Sequence, residues 1–261
     1  MTVLTINKLT ASVGAEVVGI DPEHLGTDDG LGAAVLDALE DNGVLVFHGL
    51  NLSPEDQVAF CQRLGEVDRS ADGHHPVSGI YPITLDKSKN KAADYLKAAF
   101  IWHIDGCTPT HDECPQKATV LSAVQVAERG GETEFASAYD AYDALSDAEK
   151  ERFASLRVVH SLEASQRRVT PDPTPEQLAR WRSRPTHENP LVWTHRNGQK
   201  SLVLGASADY IVGMDLDEGR ALLAELLDRA TEPAKVYSHT WSVGDTVIWD
   251  NQGVLHRAAP Y

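Results

Sequence analysis

His103, Ile104 and Asp105 form a His-X-Asp triplet behind the apolar run Phe100-Ile101-Trp102, and a further histidine, His256, follows the strand-like segment Asp245 to Asn251. In an extended strand residues i and i+2 face the same side. The spacing therefore predicts that His103 and Asp105 present an imidazole and a carboxylate to one ion while Ile104 turns away. His256 supplies the third ligand. Two histidines and one carboxylate, with coordination positions left open, are the facial set of non-haem Fe(II) oxygenases. A zinc hydrolase can use the same three side chains with water in the open position.

The elements that must position these residues read as follows. Leu4 to Ile20 suits two short strands joined by a turn. Leu31, Val35, Leu36 and Leu39 recur at helical spacing, and Asn42-Gly43 stops that helix before the apolar strand Val44 to Phe47. Ser53-Pro54-Glu55-Asp56 is an N-cap, a first-turn proline and an acidic first turn, opening a helix through Leu64. Gly79 to Leu85 reads as a strand, Asp86 to Lys97 as a lysine-rich surface loop, and Lys117 to Ala127 as a strand. Phe135 leads into a helix-rich stretch in which Ser146 resembles a cap. Glu163 to Asn189, broken by prolines, reads as an irregular insertion with at most one short helix. Asn197-Gly198 signals a hairpin, Leu216 to Ala230 an amphipathic helix, and Val236 to Trp241 and Thr246 to Trp249 two strands. Many short strands with a few helices point to a mainly β chain with helices (α+β), a β-sandwich or jelly roll with helical decoration. There is no regular βαβ alternation and no glycine-rich phosphate loop after a strand, so a doubly wound sheet is not expected.

Composition narrows the partners. A formal charge of −16 disfavours nucleic acid, whose binding rests on clustered Lys and Arg. Cys61, Cys107 and Cys114 are an odd number without tight metal spacing, which fits reduced thiols in a cytoplasmic protein. No signal segment opens the chain and no apolar run is long enough to span a membrane. The 261 residues fit one domain, 1–261.

Several motifs along the chain occur together: Gly14-Ala15-Glu16, Trp102-His103-Ile104-Asp105, Gly130-Gly131-Glu132-Thr133, Ala141 to Leu145, Thr194-His195, and Gly244-Asp245 through Trp249-Asp250-Asn251 to His256-Arg257. Their combination resembles the taurine dioxygenase and 2,4-dichlorophenoxyacetate dioxygenase (TauD/TfdA) family. The resemblance implies a double-stranded β-helix (jelly roll) core that holds Fe(II) and uses 2-oxoglutarate and O2 as co-substrates. It makes His103, Asp105 and His256 the iron ligands and Thr133 the residue whose hydroxyl helps hold the 2-oxoglutarate carboxylate. The implied reaction is hydroxylation of a small organic acid, a sulfonate, sulfate ester, aryloxyalkanoate or carboxylate, with release of succinate and CO2. Homodimers or homotetramers are the assemblies it implies.

One departure bears on the co-substrate. The family places an arginine for the distal carboxylate of 2-oxoglutarate shortly past the last iron ligand, and a dicarboxylate in a low-dielectric pocket needs such a fixed cation. The expectation is that this arginine and the strand that closes the barrel lie beyond Tyr261, or else that Arg257 or another basic residue substitutes. A jelly-roll binding module that has lost catalysis is a rival reading, and this departure is the one feature in its favour. On the substrate side, His75 matches a histidine that lies over the substrate in the taurine branch. Ser78 and Ala99 stand where a tyrosine and an asparagine are expected, which argues against taurine itself. Arg167-Arg168 suits an oxyanion or plain solvation. His74, His111, His160 and His195 have no comparable setting.

Overall fold

A computed structural model of the protein describes residues 4–22, 25, 30–69, 75–86, 88–90, 95–107 and 116–261. His74, His111, Cys114 and part of the lysine-rich loop lie outside the described residues. In chain order the elements are β1 (Thr5–Lys8), β2 (Ala15–Val18), α1 (Leu31–Asn42), β3 (Val44–Phe47), α2 (Pro54–Leu64), a 3-10 helix (Tyr95–Phe100), β4 (Ala118–Ser122) and β5 (Thr133–Ser137). They continue with α3 (Ala138–Asp143), α4 (Asp147–Phe153), β6 (Arg157–His160), α5 (Leu162–Arg167), α6 (Pro175–Arg182), β7 (His187–Pro190), β8 (Val192–Thr194) and β9 (Lys200–Leu202). The last are β10 (Ala208–Ile211), α7 (Leu216–Ala230), a 3-10 turn (Pro233–Lys235), β11 (Val236–His239), β12 (Thr246–Asp250) and β13 (Val254–Ala258). The chain is a mixed α/β structure.

Where the sequence carries a local stop or start signal, the element obeys it. Gly43 N–H closes α1 on the Leu39 carbonyl at 2.8 Å. Ser53 accepts the Asp56 N–H at 3.1 Å ahead of Pro54, and Ser146 with Glu149 forms a reciprocal capping box on α4. Three expectations are corrected. Gly79 to Leu85 is not a strand: Pro82 removes a ladder donor from its middle, and no neighbouring strand pairs with it among the described residues. The insertion holds two helices, α5 and α6, the second opened by a Thr174/Gln177 capping box with Pro175 in its first turn, and it ends in strand β7. Ahead of the helices that follow Phe135 lies β5, whose short stretch Thr-Glu-Phe-Ala-Ser is made a strand by partners on both sides, β11 and β13.

Two sheets frame the site. One runs β1-β2-β3-β12-β4 and the other β11-β5-β13. All four residues of β3 are buried because both faces of their sheet are covered. On one face Leu45, Phe47 and Ile248 pack with Val35 and Leu39 of α1 and Phe60 of α2. On the other, Val44, Val46, Val247 and Trp249 pack with Phe135 of β5 and Val254 of β13. A strand buried on both faces reads as an uninterrupted apolar run, and each such side chain contributes roughly 1.5–3 kcal/mol. The outer side of the three-stranded sheet, through Ala136 and Leu255, joins a third cluster that contains Tyr142 of α3 and Leu223 and Leu226 of α7. A third sheet runs β10-β6-β7, and β8 and β9 form the predicted hairpin. Cys61 and Cys107 are free thiols. Among the described residues no helix is long and apolar enough to cross a membrane.

Candidate metal centre

His256 lies inside β13, opposite Phe135 of β5, so its side chain points into the space between the two sheets together with Thr133 and Phe135. Backbone hydrogen bonds tie His103 to it: His103 N–H donates to the His256 carbonyl at 3.0 Å, and His256 N–H donates to the His103 carbonyl at 2.9 Å. The strand expected around the triplet is this single bridge, followed by a turn at Asp105. The bridge sets the two imidazoles 4.2 Å apart, and the turn brings the Asp105 carboxylate back toward both. His103 Nε2 is 3.6 Å from Asp105 Oδ1 and His256 Nε2 is 3.5 Å from Asp105 Oδ2. The three ligand atoms lie within 4.8 Å of one another.

Protonation favours coordination. A backbone carbonyl can only accept, so the 2.8 Å contact from His103 Nδ1 to the Ile101 carbonyl puts the ring proton on Nδ1 and leaves the Nε2 lone pair toward Asp105. Burial pushes His103 down to about 4, helped by His256 and opposed by Asp105, so the ring is neutral near pH 7. Burial pushes the Asp105 carboxyl up, but the two imidazoles and the Thr119 hydroxyl outweigh it and hold the group well below the usual carboxylate range. His256 Nδ1 is buried without a partner among the described residues. Two imidazole nitrogens and a carboxylate oxygen around one point fit a divalent transition metal.

A supporting layer is invisible in the linear sequence. Thr119 of β4 stands opposite Trp249 of β12. Its hydroxyl donates to Asp105 Oδ2 at 2.9 Å and accepts from Asn251 Nδ2 at 2.8 Å. Asn251 is wholly buried, so this chain fixes the carboxylate from behind. The Trp249 ring, 4.9 Å from that of His256, walls the other side. Thr119→Val keeps the volume and removes the hydroxyl. It is expected to weaken Fe(II) binding about 10- to 100-fold, the range for lost supporting hydrogen bonds, as read by anaerobic metal titration.

Thr133 is 8% exposed, and its hydroxyl accepts the Trp241 Nε1–H at 2.9 Å, so its own O–H is left to donate. Arg257 follows His256 in the strand and so faces the other way. It pairs with Glu134 at 2.5 Å and stacks on Trp102, with its guanidinium 4.6 Å from the ring centre. His75 sits in a loop, where its Nδ1 accepts the Val77 N–H at 3.0 Å. Arg167 pairs with Glu163 at 2.8 Å, and Arg168 Nε donates to the Ala206 carbonyl at 3.1 Å. His195 Nε2 contacts the Ser201 hydroxyl at 2.8 Å.

Two other histidines are buried in the sheets. Burial pushes His160 down to about 4, with His187 adding to the shift. It pushes His239 to about 4 as well, against the pull of Asp245. Both folded values lie below the unfolded value of about 6.5, so the unfolded chain takes up protons first as pH falls. Stability is therefore highest above pH 6.5 and falls down to about pH 4, by on the order of 1–3 kcal/mol for each histidine. Urea midpoints measured from pH 7.5 to 4.5 are expected to drop accordingly, and less steeply in His160→Gln.

Among proteins of known activity, the chain is 32% identical to an (S)-phenoxypropionate/alpha-ketoglutarate-dioxygenase of Sphingobium herbicidovorans, over 98% of this chain and 89% of that protein. It is 35% identical to an alpha-ketoglutarate-dependent 2,4-dichlorophenoxyacetate dioxygenase of Cupriavidus pinatubonensis, over 85% of this chain and 81% of that one. Its structure is similar to the crystal structure of AAD-2 in complex with Mn(II) and N-oxalylglycine, with a TM-score of 0.83 and 31% identity over 99% of this chain and 92% of that one. Residues 5–261 match the family described as taurine catabolism dioxygenase TauD, TfdA. The facing sheets, the clustered His103, Asp105 and His256, and these similarities together place the chain in the TauD/TfdA dioxygenase family, to which it belongs.

Proposed function

We propose that this chain is an Fe(II)- and 2-oxoglutarate-dependent dioxygenase that hydroxylates a small organic acid, releasing succinate and CO2. The observation that carries the reading is the approach of His103 Nε2, the Asp105 carboxylate and His256 Nε2 to within 4.8 Å of one another between two sheets. In this reading those three residues hold the iron, which couples oxidative decarboxylation of 2-oxoglutarate by O2 to hydroxylation of a substrate C–H bond. The chain's own residues orient and shield. The Ile101 carbonyl holds the His103 tautomer, and Thr119 with Asn251 aims Asp105. Thr133, its acceptor side occupied by Trp241, offers its hydroxyl proton to a 2-oxoglutarate carboxylate. Trp249 and Phe135 line the imidazole of His256 and keep water from it.

Residues 1–261 form a single domain in this proposal, and the two facing sheets are its double-stranded β-helix core. The substrate is a sulfonate, sulfate ester, aryloxyalkanoate or carboxylate, and His75 is a candidate to lie over it. The free thiols at Cys61 and Cys107 suit a cytoplasmic protein, which we expect to assemble as a homodimer or homotetramer and to bind neither nucleic acid nor membranes.

The test is anaerobic reconstitution followed by metal analysis and a substrate screen. One iron per chain is expected, together with succinate formation from 2-oxoglutarate that rises above background with a member of those four substrate classes. Iron-free protein with hydrolytic activity would point to zinc chemistry instead. The absence of succinate under all conditions would point to a binding protein.

A further inference from the structure

A cavity of about 270 Å³ opens beside His103 and Asp105. Its wall is largely apolar, with Leu96, Ile104 and Leu162 among its residues, and three polar side chains interrupt it: Ser165 and Gln166 of α5, and Ser207 ahead of β10. Two of the three already have partners. Ser165 Oγ donates to the Leu162 carbonyl at 3.1 Å, and Ser207 Oγ is held at 2.9 Å by Nδ1 of the wholly buried His160. Gln166 differs. It is 5% exposed, it lines the cavity, and its side-chain amide makes no hydrogen bond to another described residue, so its polar atoms open onto the cavity.

An amide N–H that opens onto a cavity from an apolar wall, with no protein acceptor, is free to bond an acceptor on a bound group. The surroundings define that group. Among the described lining residues there is no Lys or Arg. Arg168, two residues past Gln166, has its Nε engaged with the Ala206 carbonyl, and neither it nor Arg167 is one of the lining residues. An anionic headgroup placed here would be desolvated without a counter-ion, which is costly. A neutral oxygen meets an N–H donor in an otherwise apolar wall.

We propose that Gln166, beside a Ser207 hydroxyl fixed by His160, is a specificity-determining residue that reads an uncharged oxygen acceptor, a carbonyl or ether, on the apolar body of the substrate. The acid group of the substrate then points away from this cavity. The inference rests on the dioxygenase reading for the identity of the cavity as the substrate's place.

The test compares probes matched in shape. Protein loaded with Mn(II) and N-oxalylglycine is titrated calorimetrically with 3- and 4-acetylphenoxyacetate and with the isopropenyl analogues, in which CH2 replaces the carbonyl oxygen. The better acetyl isomer is expected to bind about tenfold more tightly than its isopropenyl partner, the factor for one net hydrogen bond of about 1.4 kcal/mol. In Gln166→Leu the ratio is expected to fall to about one while the isopropenyl probe binds as before. Gln166→Met, unbranched and close in volume, gives the same readout if the leucine variant fails to fold. A wild-type ratio near one, no binding of any probe, or an unchanged ratio in the variant overturns the proposal. Succinate formation by the Fe(II) protein, measured in parallel, separates the two readings. Its absence sinks the dioxygenase reading, while the binding ratio still decides the role of Gln166.

Discussion

Asp105→Ala is expected to abolish stoichiometric Fe(II) binding and to lower substrate-dependent succinate formation by more than about 100-fold, beyond the range for losing a supporting hydrogen bond. Among the described residues Asp105 is the only anionic group in the cluster, and its two oxygens face the two imidazoles separately, Oδ1 toward His103 and Oδ2 toward His256. Without it two imidazoles remain, their ring centres 4.2 Å apart, a weak site for a divalent ion at micromolar concentrations. The fold itself is expected to survive. The carboxylate's partners are a hydroxyl that can turn to another acceptor and two imidazoles whose backbones stay anchored to each other. Thermal unfolding separates the two effects. Metal is expected to raise the melting temperature of the wild type by linkage, and to leave that of Asp105→Ala unchanged. A variant that still binds one Fe(II) per chain with wild-type affinity would remove Asp105 from the centre.

How much of this was legible follows from how local each signal is. The caps of α2 and α4, the stop at Asn42-Gly43 and the Asn197-Gly198 hairpin are contained in a few consecutive residues, and each is found where those residues place it. The capping box of α6 was equally readable at Thr174-Pro175-Glu176-Gln177, but the surrounding prolines obscured it. β5 and β6 were missed for a different reason. Thr133–Ser137 and Arg157–His160 are only five and four residues long, too short to stand out by pattern, and distant segments that flank them on both sides make them strands. Gly79 to Leu85 shows the reverse: suitable residues without a partner strand stay irregular. At the site, the pairing of His103 with Asp105 was readable from their spacing. Thr119 and Gln166 were not. Thr119 matters through its register opposite Trp249, and Gln166 through the side of α5 that meets the cavity.

Gly205→Ala is the second change expected to have a large effect, although Gly205 carries no side chain and coordinates nothing. Its φ is +113°, and an added Cβ would lie 2.8 Å from His103 Cα and 3.1 Å from the Trp102 carbonyl oxygen. Those neighbours are backbone and cannot rotate away. The loop is also pinned to the same place, because Ala206 N–H donates to the Trp102 carbonyl at 2.8 Å. To relieve the contact His103 must move, yet its N–H and carbonyl are both bonded to His256, so the shift propagates into the ring pair. We expect a loss of about 2–4 kcal/mol from strain and overpacking combined, together with a 10- to 100-fold loss of metal affinity. Gly198→Ala isolates the strain. There φ is +85° but nothing lies within 4 Å of the added carbon, so a loss of about 1 kcal/mol with unchanged metal affinity is expected. If both variants lose stability alike and both retain the metal, the close approach of Gly205 does not position His103. A loss of affinity confined to Gly205→Ala makes the backbone of the 204–206 loop the support that holds the first ligand in place.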